Sequence, residues 1–236
     1  MRGNANTMNR NPNTANSAAQ TNRNESIRNI LKESNAQKIK TDLAEIYTMK
    51  EFLDKEFCEK IIKSCQPHFI RSTVSSERGG AISQYRTSST CKLDLCIPRA
   101  AKQIEDKISI FLQGLTGPED ESLQIQRYRS GEFYREHFDW FAPWSKEYKY
   151  FTDTIGQRTW TIMIYLNEVA EGGETEFRYL NHTFKPNSGM AVIWNNLKKD
   201  GQPNPYTLHE AKPVLKESKW VLTKWLRHGQ SNVHSY

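Results

Sequence analysis

The sequence predicts a mostly β protein with flanking helices, its strands closed into a jelly roll. From Leu123 onward, short alternating or β-branched runs recur: LQIQRY, EFYREHFDW, TWTIMIYLN, ETEF, HTFKP, GMAVIWNN, YTLHEA and KWVLTKWLR. Turn signals such as Gly172-Gly173 separate them. Seven or eight strands of this kind suit a sandwich or barrel, and the jelly roll is one way to close the edges. The segment before Leu123 reads differently, with two stretches whose apolar residues recur at helical spacing.

Taken in order, residues 1–24 are rich in Asn, Ser, Thr and Ala and hold almost no large apolar side chains. Such a segment cannot bury enough surface to offset its ordering entropy, which predicts a disordered tail. Residues 25–42 read as a short helix and linker, with Ile27, Ile30 and Leu31 on one face. The folded domain spans 43–236, with a first strand over Ala44–Tyr47 and a jelly-roll core over about 123–227. Asp54 is a cap for the helix DKEFCEKIIKSC, where Phe57, Ile61 and Cys65 share a face. A second helix starts at Pro98, a residue suited to the first turn, and lines up Ile104, Ile108 and Leu112. Gly114 and Gly117-Pro118 end it. The long aromatic segment Phe141–Gln157 reads as a lid or specificity loop.

The chain has 236 residues and a formal charge of +6. Residues 1–40 carry seven Lys/Arg against two Glu; the remainder carries 26 Lys/Arg against 25 Asp/Glu. The basic excess therefore lies mostly in the tail, which argues against a nucleic-acid partner for the domain. No apolar run is long enough for a membrane span, and the polar N-terminus shows no secretory signal. Cys58, Cys65, Cys91 and Cys96 lack metal-type spacing and read as reduced structural thiols, so a cytoplasmic location is expected.

His137 and Asp139 stand two residues apart in a predicted strand, where i and i+2 project to one side. With His209 as a distant third ligand they would make the two-His, one-carboxylate facial set that holds iron(II). Along the last strand, Lys219, Val221, Thr223, Trp225 and Arg227 share one face. Such a polar mixture suits the lining of a ligand cavity, where the Lys219 ammonium would pair with a ligand carboxylate.

From about Leu43 to Arg227 the chain resembles the prolyl 4-hydroxylase family of iron(II)- and 2-oxoglutarate-dependent dioxygenases. The matching pieces are RTSS at Arg86–Ser89, LQIQRYRSGEFYREHFDWF, RTWTIMIYLNEVAEGGETEF, FKPNSGMAVIW and LHEAKPVLKESKWVLTKWLR. The resemblance implies a double-stranded β-helix and iron(II) held by His137, Asp139 and His209. It implies 2-oxoglutarate held by Lys219 with Tyr128 and Thr175, and O2 as the other cosubstrate, with ascorbate as reductant. Arg86 and Ser88, from a mobile loop, together with Arg158 and Trp225, resemble positions that contact a proline-containing peptide substrate. The implied reaction hydroxylates peptidyl proline and decarboxylates 2-oxoglutarate to succinate and CO2. Two alternatives stay open: a related dioxygenase acting on a free amino acid or nucleic-acid base, and a metal-binding jelly roll without catalysis. Where the family commonly carries Gly near the distal His and before the Lys, this chain has Glu210-Ala211 and Glu217-Ser218.

Overall fold

Alternation along two long central strands divides the molecule into a helix-covered core and a core between sheets. The computed structural model describes residues 12–76, 79–81, 83–153 and 155–228. Its helices are α1 (Pro12–Glu33), α2 (Lys55–Cys65), α3 (Leu93–Cys96), α4 (Pro98–Phe111) and α5 (Lys146–Thr152). The strands up to the site are β1 (Gln37–Lys38), β2 (Ile46–Met49), β3 (Ile70–Arg71), β4 (Val74–Ser76), β5 (Gly79–Ala81), β6 (Ser89–Lys92), β7 (Gln124–Arg129) and β8 (Tyr134–His137). Then follow β9 (Arg158–Tyr165), β10 (Glu171–Gly172), β11 (Thr175–Phe177), β12 (His182–Phe184), β13 (Ala191–Asn195), β14 (His209–Ala211), β15 (Val214–Lys216) and β16 (Ser218–Arg227).

A large antiparallel sheet runs in the order β1-β2-β13-β9-β16-β7-β6-β3, and a smaller one in the order β12-β11-β14-β8. On β9, Trp160, Ile162 and Ile164 face the helices, as do Trp220, Leu222 and Leu226 on β16. They meet Ile27 and Leu31 of α1, Ile61 of α2, and Ile104 and Ile108 of α4. Each such fully buried aliphatic side chain stabilises the fold by about 1.5–3 kcal/mol. The intervening residues Met163 and Tyr165, with Tyr128 and Val221, pack instead against Phe177 and Phe184 of the smaller sheet. The jelly-roll expectation holds. The split faces of β16 hold as well: Lys219, Val221, Thr223 and Trp225 line the cavity described below, whereas Arg227 at the strand's end lies outside it and donates to the Phe151 and Gly156 carbonyls.

Several local expectations are corrected. The helix predicted near residue 25 begins at Pro12, so the disorder expected over residues 1–24 fails from there on; residues 1–11 lie outside the described residues. Its last turns are held by tertiary contacts that composition does not reveal. Arg23 donates to Asp120 at 2.7 Å and to the Arg227 carbonyl at 2.6 Å, and Asn24 accepts from the Trp160 indole at 3.1 Å. The first strand of the large sheet's core is Ile46–Met49 rather than Ala44–Tyr47. Asp54 does cap α2, accepting from the Phe57 amide. Cys58 and Cys65 are free and buried, and the sulfurs of Cys91 and Cys96 lie side by side. The end of β6 and the following helical turn bring these two together, a proximity that a five-residue spacing alone does not disclose.

Candidate metal centre and its cavity

Two strands of the smaller sheet build the site. β8 ends at His137, and His209 on the antiparallel β14 stands directly opposite it. The predicted continuation of the strand through Asp139 does not occur, because the chain bends there. The carboxylate still joins the imidazoles: ligand atoms of His137, Asp139 and His209 lie within 4.8 Å of one another.

Hydrogen bonds fix each group. His137 Nδ1 lies 2.8 Å from the Arg135 carbonyl, and His209 Nδ1 lies 2.9 Å from the Thr207 carbonyl. A carbonyl only accepts, so both Nδ1 atoms carry the proton and both Nε2 lone pairs stay available to a metal. Asp139 accepts from the Thr161 hydroxyl at 2.8 Å. Thr161 accepts in turn from the Asn196 amide at 2.9 Å, and Asn196 accepts from the Trp194 indole at 3.0 Å. This chain of donors orients the carboxylate, and the sequence motifs do not reveal it. Burial, then the neighbouring His209, hold the His137 imidazole well below its usual pKa, favouring the neutral form that binds metals. For Asp139, burial acts upward and is the largest single influence. His209, His137 and Arg158 together outweigh it, leaving the carboxyl below its ordinary range. Two imidazoles with free Nε2 atoms and an ionised carboxylate suit a divalent first-row metal.

The cluster opens into a cavity of about 890 Å³ between the two sheets. Lys219 lies on its wall, only 1% exposed, and donates to the Gly173 carbonyl at 2.8 Å. Gly173 and its neighbour Gly172 adopt positive φ, and a Cβ on Gly172 would collide with the Pro213 carbonyl. Among the described residues no carboxylate pairs with Lys219, and burial pulls its ammonium down to about 7. Tyr128 stands opposite it across the β7–β16 ladder, its ring 4.7 Å from the ammonium. Thr175 shares the cavity wall, its hydroxyl bonded to Tyr165 at 2.7 Å. A buried cation awaiting an anion beside a metal-ligand set fits a carboxylate-bearing ligand that reaches both.

The remaining residues singled out by sequence divide. Trp225 lines the cavity, its buried indole N–H outside strict hydrogen-bond geometry but close enough to the Asp139 carboxyl to help hold it ionised. Arg158 lines it too, but its guanidinium is held by Glu121 at 2.5 and 2.7 Å and stacks on Trp225 at 4.1 Å. It braces Trp225 and offers few free donors. Arg86, expected on a mobile loop, is buried and bridged to Tyr134, whose ring stacks on His137 at 3.5 Å. Ser88 lies fully buried beneath Arg86 and outside the lining, bonding Ser72 at 2.9 Å. It supports Arg86 rather than facing the cavity. Within the expected lid, Phe141 and Phe151 stack at 4.9 Å as part of the cavity wall.

Residues 123–227 match the family model described as the 2OG-Fe(II) oxygenase superfamily, which defines the class. A "probable prolyl 4-hydroxylase 3" of Arabidopsis thaliana is 32% identical over 208 residues, covering 79% of this chain and 70% of that protein. A second plant relative, "probable prolyl 4-hydroxylase 10", is 33% identical over 78% of this chain and 68% of its own length. The chain belongs to the prolyl 4-hydroxylase family of 2OG-Fe(II) oxygenases. Among solved structures, a viral collagen prolyl hydroxylase from Paramecium Bursaria Chlorella virus-1 superimposes with a TM-score of 0.60 at 23% identity, over 76% of this chain and 94% of that one. A prolyl hydroxylase from Trichoplax adhaerens, solved with a hypoxia inducible factor peptide fragment, gives 0.58 at 15% identity, over 94% and 97%. These two share the jelly-roll fold. Iron(II), 2-oxoglutarate and O2 are the requirements of the class. No described helix is long and apolar enough to cross a membrane.

Proposed function

We propose that this chain hydroxylates peptidyl proline at the 4-position, with iron(II) held by His137, Asp139 and His209 and 2-oxoglutarate anchored by Lys219. The observation that carries this reading is the buried, anion-less Lys219 in the same cavity as the His-Asp-His set. When bound, the iron with 2-oxoglutarate and O2 supplies the oxidation, yielding succinate, CO2 and hydroxyproline. The chain's own residues bind, orient and exclude water. Lys219 takes the distal carboxylate in a charge-assisted pair, and the Tyr128 and Thr175 hydroxyls add hydrogen bonds. Thr161 keeps Asp139 aimed. Ascorbate is the reductant that keeps the iron ferrous.

The substrate reading rests on shape and chemistry. Proline-rich chains are pre-set in polyproline II and lose little entropy on docking, and aromatic-lined grooves recognise that form. Tyr134, Trp140 and Trp225 line this cavity and offer an aromatic wall to such a peptide. The test is mass spectrometry of poly-proline and proline-alanine-rich peptides incubated with iron(II), 2-oxoglutarate and ascorbate. One oxygen added to proline is expected. Succinate release stimulated only by free amino acids or by nucleic acid contradicts the reading.

A further inference from the structure

The cavity does not end at the metal. Its floor continues along the large sheet, from the Lys219 strand across β7 and β6 to the edge strand β3. At that far end it is lined by Ile70 and Leu95, exposed at 72% and 77%, and by Lys92, while Arg71, next to Ile70 and paired with Ser89, projects to the opposite face of the sheet. Large apolar side chains left in water beside a groove mark a binding surface rather than a solvated wall. Thr90 faces Ile70 across the β3–β6 pair, and Lys92 follows on the same face of β6, two residues on.

Arg86 joins this arm to the metal. Buried to 8% exposure, it bonds only neutral groups among the described residues: the Thr73 carbonyl at 2.9 Å and the side-chain oxygens of Ser88, Thr90 and Gln124 at 3.3–3.4 Å. Neutral partners satisfy its donors, and among the described residues none compensates its charge, which is costly in a desolvated place. The described lining of the cavity contains one carboxylate, Asp139, and that belongs to the metal cluster. The near-neutral total of the domain thus hides a local concentration of positive charge along one arm of the groove.

We propose that the Arg86 and Lys92 arm recognises an acidic side chain of the peptide substrate, set to one side of the hydroxylated proline, while Ile70 and Leu95 receive an apolar neighbour. The substrate class is therefore a proline-rich chain carrying Asp or Glu at a fixed offset. This deepens the peptidyl-proline reading and rests on it. A polyanionic nucleic acid would meet the same charges, but it would not fill the apolar contacts of Ile70 and Leu95.

The test compares kcat/KM for proline-rich peptides carrying Glu, Gln or Lys at successive offsets on either side of one proline. Glu peptides are expected to exceed Lys peptides by about two- to tenfold at one offset, the size of two partly exposed charge pairs. The preference should shrink in high salt. The variant Lys92→Glu, at an exposed position, is expected to abolish it, and Arg71→Glu, on the opposite face, to leave it unchanged. Equal kcat/KM for Glu, Gln and Lys peptides, with all of them hydroxylated, overturns the acidic-arm proposal and leaves the prolyl hydroxylase reading standing. Hydroxylation of no peptide overturns both. Succinate release driven by a single-stranded oligonucleotide, with no oxygen on any peptide, overturns both as well.

Discussion

The Lys219 ammonium lies 2.8 Å from the Gly173 carbonyl and finds no carboxylate among the described residues. The carbonyl is reachable because Gly172 and Gly173 turn the chain through positive φ at this point. Glu174 favours the charge from a distance without bonding it, so a ligand carboxylate would complete the pair. Lys219→Ala is expected to weaken 2-oxoglutarate binding strongly, by about 2–5 kcal/mol, as for other desolvated charge pairs losing one partner. Titration by calorimetry or by stimulated turnover measures it. An unchanged affinity would return Lys219 to the status of a buried structural lysine.

The same residue sets a pH dependence. Burial places the empty-site ammonium at about 7, below the ordinary lysine value of 10.5. A bound carboxylate raises it again, so binding above pH 7 takes up a proton, and 2-oxoglutarate affinity should fall as pH rises past about 7. In the ligand-free protein the sign is opposite. Between about 7 and 10.5 the unfolded chain holds more protons at this site than the folded one, so this residue makes stability rise with pH. Lys219→Met should remove both trends, which affinity and melting curves against pH would check.

Asp139 depends on Thr161, and Thr161 on Asn196. Thr161→Val keeps the volume and removes the donor. It is expected to weaken iron(II) binding by about 10- to 100-fold, the usual effect of losing a supporting hydrogen bond behind a ligand. Equilibrium metal titration with an unaltered melting profile is the readout.

The candidate ligands stand out in the sequence better than their supports do. His137, Asp139, His209 and Lys219 were legible because metal and carboxylate chemistry demand particular residue types, and strand periodicity assigned Lys219 a face. Thr161, Asn196 and Trp194 were not, since Thr and Asn in or beside a strand carry no periodic signal of what they bond. Ser88 illustrates the converse. Its place in a matching motif suggested contact with substrate, whereas its hydroxyl supports Arg86. The N-terminal helix was misjudged for a related reason. Composition reports what a segment can bury by itself, and residues 23–31 are ordered by what the rest of the chain offers them.

Arg23 carries much of that docking, with Asp120 completely buried beneath it. Burial drives the Asp120 pKa up, opposed chiefly by Arg23. Arg23→Ala leaves that carboxylate uncompensated and is expected to cost about 3 kcal/mol, within the range for a broken buried pair. Thermal or denaturant unfolding measures the loss. An undiminished stability would mean that the helix is not part of the folded unit.

Glu217 occupies a left-handed conformation at φ 72°, immediately before β16. Glu217→Gly relieves that strain and is expected to stabilise the protein by about 1 kcal/mol, read as a small rise in Tm. Activity should be retained, since the side chain bonds only the Ala170 amide, at 3.4 Å.

The most direct test of the central claim follows the oxygen atoms. A proline-rich peptide is incubated with the protein, iron(II), 2-oxoglutarate and ascorbate under heavy-isotope dioxygen, and peptide and succinate are weighed by mass spectrometry. The account predicts one labelled oxygen on proline and one in succinate for the native protein, and neither for Asp139→Ala. Unmodified proline with the native protein, or equal labelling by Asp139→Ala, would contradict it.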